Sequence, residues 1–217
     1  MKVKKITTIG ILCALAMIVN MFAFMPLVPT VTWLTYDPKD IIIVIGGFIY
    51  GPMTSLIMSG ICSVLEIMIK GGTILDVFMN MISTCSFACV AAAVYKHKHT
   101  KQGAMIGLLL GVVITVINMT IWNYIVTPIY YGMPRAAVVA LLLPGIIPFN
   151  ILKAGLNAGI TLFVYKSVVA ILRHTHFIEA SGQPTSQTKS LVWVGLFITI
   201  SICLLYTSPS PRDRSVS

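Results

Sequence analysis

The chain has 217 residues, of which 57% are hydrophobic and only 10% charged, and its mean hydropathy is +0.94. A water-soluble domain carries about a quarter charged residues, so this composition excludes a soluble globular protein and predicts an all-α integral membrane protein with several spans. The net charge of +9 does not point to nucleic acid, because the basic residues punctuate the apolar segments and form no basic face interleaved with aromatics.

The first apolar segment, 6–25, follows Lys2, Lys4 and Lys5. It exceeds the roughly 7–15 residues of a signal-peptide core and is read as an uncleaved helix. Residues 26–40 form a polar interruption that contains Trp33 and Tyr36, aromatics suited to a bilayer interface. The run 41–50 is apolar but too short to span alone; Gly51 and Pro52 follow it, and 53–69 continues at membrane depth. Segments 76–95, 103–125 and 147–172 supply three further spans. The expected organisation is a six-helix membrane domain over 1–176, a polar linker at 177–189, an additional C-terminal helix at 190–206 and a tail at 207–217. The ending YTSPSPRDRSVS shifts abruptly to serine, proline and arginine. It reads as a cloning scar or translated adapter rather than as part of the fold, with a short native regulatory tail as the alternative.

Basic residues orient the spans. The amino terminus, the loop Lys96-His97-Lys98-His99-Thr100-Lys101 and the stretch 173–176 all fall on one side of six alternating segments. The positive-inside rule makes that side the cytoplasm. The opposite side receives 26–40, the turn Lys70-Gly71-Gly72 and 126–145, which carry few positive charges.

One ionisable residue sits inside an apolar run. In IIPFNILKAGLNAGITLFVY, residues 146–165, Lys153 lies about two turns from the outer end of the sixth segment. A lysine there either snorkels its stem to the interface or donates into a polar cavity. Asn150 at i−3 and Asn157 at i+4 put three polar residues on one helix face, and such a stripe favours the cavity. Asn118, Asn123, Glu66, Asp76 and Asn80 fall at comparable depth on other segments, so one outward-facing pocket roofed by 33–40 accommodates them all. Each asparagine also has a plain alternative as an interhelical hydrogen bond worth about 0.6–2 kcal/mol. Glu66 and Lys153 could equally be a buried ion pair with no ligand.

Catalytic patterns are absent. There is no phosphate-binding loop, because the glycines of 46–53 come without a lysine, and there is no H-E-x-x-H. His97, His99, His174 and His176 occupy basic stretches that read as solvated loops, and no metal site is expected. Cys13, Cys62, Cys85, Cys89 and Cys203 all lie in apolar segments, which argues against a disulfide framework. Small residues recur at i+4 in Gly103, Gly107 and Gly111, in Gly155 and Gly159, and in Gly10 with Ala14; such spacing brings helix backbones close together.

Three segments, YDPKDIIIVIGGFIYGP, NYIVTPIYYGMP and IIPFNILKAG, resemble the signature stretches of the riboflavin-binding S components of energy-coupling factor (ECF) transporters. The resemblance covers about residues 4–173 in the same order and spacing. It implies a six-helix S-component bundle that captures riboflavin at the extracellular face, carries no ATPase and needs no cofactor. It also implies partners, namely a transmembrane T protein and two ABC ATPase subunits, with the S component reorienting bodily to deliver its ligand. Carried over by residue, Asn123 and Lys153 become the main polar contacts to the flavin. Tyr36, Asp37 and Asp40 belong to a lid, Asn150, Asn157, Asn80 and Glu66 are further ligand candidates, and Gly10 with Ala14 matches the small-residue surface for the T protein.

The chemistry suits such a ligand. An isoalloxazine ring is flat and apolar enough for a membrane pocket, and its carbonyl edge accepts hydrogen bonds from lysine or asparagine. Riboflavin is preferred over FMN because only one basic residue is visible at pocket depth. Another vitamin of the same family, FMN, and a small integral membrane enzyme centred on Glu66, Asp76 and Lys153 are the competing readings; the last lacks a converging nucleophile or metal.

Overall fold

A computed structural model describes the backbone of residues 2–22 and 25–174 and the side chains of 3–22 and 25–165. The linker, additional helix and tail expected beyond 176 lie outside the described residues. The fold is all-helical, as expected. In chain order it contains α1 (Lys2–Phe22), a single 3-10 turn (Pro29–Val31), α2 (Lys39–Tyr50), α3 (Pro52–Lys70) and α4 (Ile74–His97). These are followed by α5 (Lys101–Tyr131), α6 (Arg135–Leu141), a π turn (Leu142–Ile146) and α7 (Ile147–His174).

Six membrane helices are expected; among the described residues, five helices are long and apolar enough to cross a membrane, the last running from α6 through the π turn into α7. The remaining segment, α2, has 12 residues and extends about 18 Å, well short of a ~30 Å hydrocarbon core. It lies inside the bundle, with Lys39 to Phe48 buried without a break.

Local chemistry sets the helix ends. Gly51 takes φ 94° between α2 and α3, a conformation open to glycine, and Pro52 then starts α3 where its missing N–H costs nothing. Thr73 and Asp76 form a reciprocal capping box at the start of α4. The Thr100 hydroxyl oxygen accepts from the Gly103 N–H (3.0 Å) to open α5. The long outer loop expected at 126–145 is mostly helix instead. α5 continues through Pro128 to Tyr131, and the chain re-enters a helix at Arg135, leaving only residues 132–134 as a turn. Pro144 falls in the π turn, whose wider winding accommodates a residue that cannot donate.

The helices alternate in direction. Asn20 at the end of α1, Lys39 at the start of α2, Glu66 at the end of α3 and Asn80 near the start of α4 all meet at one end of the bundle. Lys5 over the Tyr50 ring and the tilted and edge-to-face cluster of Phe48, Tyr95 and Tyr165 mark the other end, where the basic loop 96–101 lies. Between them runs a core that includes Leu12, Ile43, Met58, Cys62, Phe87 and Leu108. The α4–α5 contact is the most extensive in the bundle. Glycines make it possible: a Cβ at Gly107 would stand 2.7 Å from the Ala91 carbonyl oxygen, and one at Gly111 2.8 Å from that of Phe87. Gly10 and Ala14 lie on the exposed face of α1, and a Cβ at Gly10 would meet nothing within 4 Å.

The stretch 25–38 crosses one end of the bundle as a strap. It folds back on itself through the Tyr36 N–H, which donates to the Met25 carbonyl (2.9 Å). Leu27, Val28, Val31 and Tyr36 pack with Val138, Ile146, Phe149 and Leu152 in a second apolar cluster. Gly145 lets Val31 approach, because a Cβ there would stand 2.6 Å from its side chain.

Candidate ligand-binding cavity

Under the strap, α3, α4, α5 and α7 enclose a cavity of about 290 Å³. Its wall combines flat apolar surface from Trp33, Met119 and Phe149 with polar groups from Asp37, Asn80, Ser83, Asn123, Asn150 and Lys153. That mixture of apolar bulk with a few convergent polar groups is the usual make-up of a small-molecule site.

Lys153 is the deepest cation facing it. Six per cent of the residue is exposed, so it does not snorkel to an interface. Its Nζ donates to Asp37 Oδ2 at 2.7 Å and to Ser83 Oγ at 3.3 Å, with Asp40 Oδ2 at 3.9 Å. Glu66 is not its partner; the suggested Glu66–Lys153 pair is replaced by two interleaved sets. Glu66 accepts from Lys39 Nζ at 2.8 Å, from Lys70 Nζ at 2.6 Å, from Asn20 Nδ2 at 3.0 Å and from Asn80 Nδ2. Lys39 links the sets: it is fully buried, donates to Asn80 Oδ1 at 3.0 Å and stands 3.5 Å from Asp37 Oδ2. Three ammoniums and three carboxylates thus balance in one network, which is what allows charges to persist at this depth.

Asp37 lies in the strap, ahead of α2. Burial pushes its carboxyl upward, but the ammoniums of Lys153 and Lys39 prevail and hold it well below the usual carboxylate range. Tyr36 next to it is pushed the other way, first by burial and then by the carboxylates of Asp40 and Asp37.

The polar stripe of α7 divides between two levels. Asn150 and Lys153 line the cavity, whereas Asn157 is buried beneath it and donates toward the Asp37 carbonyl (3.3 Å) and Asp40 Oδ2 (3.4 Å). Asp40 is likewise behind the wall, accepting from the Thr84 hydroxyl at 2.7 Å. Tyr36 packs its ring into the second apolar cluster. Asn123 lines the cavity; its Nδ2 donates to the Met119 carbonyl (2.8 Å) and its Oδ1 accepts from Thr127 (3.1 Å). Asn118 faces Ser86 instead (2.9 Å). The cavity therefore gathers Lys153, Asn123, Asn150, Asp37, Asn80 and Glu66, and keeps Tyr36, Asp40 and Asn157 as supports.

Sequence reasoning missed Lys39, Lys70 and Ser83. Lys39 sits at the border of a polar interruption and a short apolar run, where a lysine reads as an interfacial charge. The one available signal was its place between Asp37 and Asp40, three charges within four residues before an apolar run.

The family model described as "ECF transporter, substrate-specific component" matches residues 4–165. The chain is similar to the "Riboflavin transporter RibU" of Staphylococcus aureus (strain TCH60), with 28% identity over 177 residues, 78% of this chain and 93% of that protein. It is also similar to the "Riboflavin transporter FmnP" of Bacillus subtilis (strain 168), with 29% identity over 181 residues, 79% of this chain and 92% of that protein. A solved structure described as "Structure and mechanism of the S component of a bacterial ECF transporter" matches with a TM-score of 0.68 and 28% identity, covering 80% of this chain and 99% of that one.

Proposed function

This chain belongs to the substrate-specific components of ECF transporters, and on that footing we propose that it captures riboflavin at the extracellular face for uptake. It is a transport protein rather than an enzyme. In the proposed assembly a T protein and two ABC ATPase subunits supply the coupling, and the amino terminus faces the cytoplasm. Lys4, Lys5, Lys96, Lys98 and Lys101 support that orientation by clustering at the bundle end away from the cavity. The exposed Gly10 and Ala14 of α1 are the proposed contact for the T protein.

The observation that carries the reading is the buried ammonium of Lys153, placed between flat apolar surface and amide side chains. The rings of Trp33 and Phe149 offer faces for an isoalloxazine, and Lys153 with the amides of Asn123 and Asn150 offers donors to its carbonyl edge. Each amide nitrogen already spends one N–H on its own helix, at Met119 and Ile146, which fixes the side chain and leaves its second N–H for a ligand.

The test is a riboflavin titration of the purified protein in detergent, followed by quenching of flavin fluorescence. Saturable binding is expected, weakened about tenfold or more in Lys153→Ala, since a hydrogen bond from a buried charged donor is worth about 1.5–3 kcal/mol, and about two- to tenfold in Asn123→Ala, whose neutral amide is worth about 0.5–1.5 kcal/mol. A well-folded protein that binds no riboflavin refutes the assignment.

A further inference from the structure

We infer that Asp76 makes the cavity charge-selective, disfavouring a flavin that carries a phosphate. The inference rests on the reading above that the ligand is a flavin and adds a specificity residue to it.

Each ammonium that faces or backs the cavity is engaged by a carboxylate of the protein: Lys153 by Asp37 at 2.7 Å, Lys39 by Glu66 at 2.8 Å and Lys70 by Glu66 at 2.6 Å. A neutral ligand can take a hydrogen bond from Lys153 without disturbing this balance, because an ammonium has three donors. A phosphomonoester brings about −1.5 to −2 charges at neutral pH and would have to draw a lysine away from its carboxylate. The carboxylate left behind would then be buried and unpaired.

Asp76 adds repulsion at the rim. It lines the cavity where α3 ends and α4 begins, close to Lys70 and Gly71. The bonds that hold it come from neutral donors: the Thr73 N–H at 2.7 Å, the Thr73 hydroxyl at 3.0 Å and the Tyr130 phenol at 2.8 Å. All three converge on Oδ2. The carboxylate is thereby fixed in place as part of the capping box of α4, and its charge stands on the cavity wall. Discrimination built from a repulsive group of this kind does not require any contact to the favoured ligand.

The experiment compares three flavins on the full chain in detergent: riboflavin, its 5′-phosphate and its neutral 5′-acetate ester. Wild type is expected to bind the phosphate about tenfold or more weakly than riboflavin, and the acetate nearly as well as riboflavin, because the penalty is charge and not bulk. In Asp76→Asn, which keeps the capping shape, the riboflavin-to-phosphate affinity ratio is expected to fall by about tenfold. Equal binding of phosphate and riboflavin by wild type overturns the inference while leaving flavin capture standing. So does rejection of the acetate as strongly as the phosphate, which would assign the effect to size, and so does an unchanged ratio in Asp76→Asn. Failure of folded wild type to bind any of the three refutes the flavin reading itself, and this inference with it. The wild-type ligand series keeps the inference open to refutation even if the variant does not fold.

Discussion

Replacing Lys153 by methionine, which keeps the length of the stem and removes the charge, isolates the strongest contact between the strap and α7. At 2.7 Å and an effective dielectric of about 20, the gross attraction between Lys153 and Asp37 is about 6 kcal/mol. Asp37 does not become solitary in the variant, because Lys39 remains 3.5 Å away, although Lys39 is shared with Glu66. The net loss therefore falls near the lower end of the ~3–5 kcal/mol that follows from breaking a buried pair, about 3 kcal/mol. For a chain of this size that corresponds to a fall in Tm of about 6–12 °C. Asp37→Asn alone should also destabilise, by leaving Lys153 with only Ser83 and the more distant Asp40. The double variant Asp37→Asn/Lys153→Met removes both charges at once and should cost about 1–3 kcal/mol less than the sum of the two single changes. Thermal unfolding of the four purified proteins in detergent measures the cycle. Strictly additive losses would refute the pairing of these two side chains.

The same carboxylate gives a pH prediction. Because Asp37 is held below its ordinary value of 3.8 in the folded protein, its contribution is fully present above about pH 4 and is lost as pH falls through the folded value; the stability gap between wild type and Asp37→Asn should therefore shrink in titrations below pH 4. Gly107→Leu should lower the Tm by several degrees, since even its Cβ would stand 2.7 Å from the Ala91 carbonyl and overpacking costs about 1–3 kcal/mol. Gly10→Leu combined with Ala14→Leu meets open space and should leave Tm and riboflavin affinity unchanged, while reducing co-purification with the T protein and riboflavin uptake by cells. Unimpaired co-purification would remove that face of α1 from the proposed contact.

Much of this arrangement is legible in the sequence because the bilayer is a demanding solvent. A lysine in an apolar run at position 153 announces a polar environment, and the i−3 and i+4 asparagines show on which helix face to look. What periodicity does not carry is partner choice. Asp37 lies 116 residues from Lys153, and Glu66 lies 46 residues from Asn20, so these pairings depend on how the helices assemble. The burial of Lys39 is hidden in the sequence for the same reason: its neighbours in the chain are polar, and the groups that bind its ammonium come from α3 and α4. Helix ends near prolines were the other weak point. Residues 126–145 read as an outer connection between spans, whereas α5 runs past Pro128 and a π turn absorbs Pro144. The short α2 shows the limit of counting apolar residues, since a segment enclosed by other helices need not match the thickness of the bilayer.

Glu66 ties α1, α2 and α4 to its own helix through one carboxylate. That knot constrains how a molecule could reach the cavity. Splaying the four helix ends apart would strand a buried carboxylate and fully buried Lys39 together, each at a cost of several kcal/mol. The strap between Pro26 and Thr35 is held differently, mainly by apolar contacts such as Val31 against Gly145, with one hydroxyl bond from Thr30 to the Pro144 carbonyl at 3.2 Å. Contacts of that sort slide and re-form without leaving a charge behind. The bundle thus has one side clamped by paired charges and another where residues 26–35 pack without them.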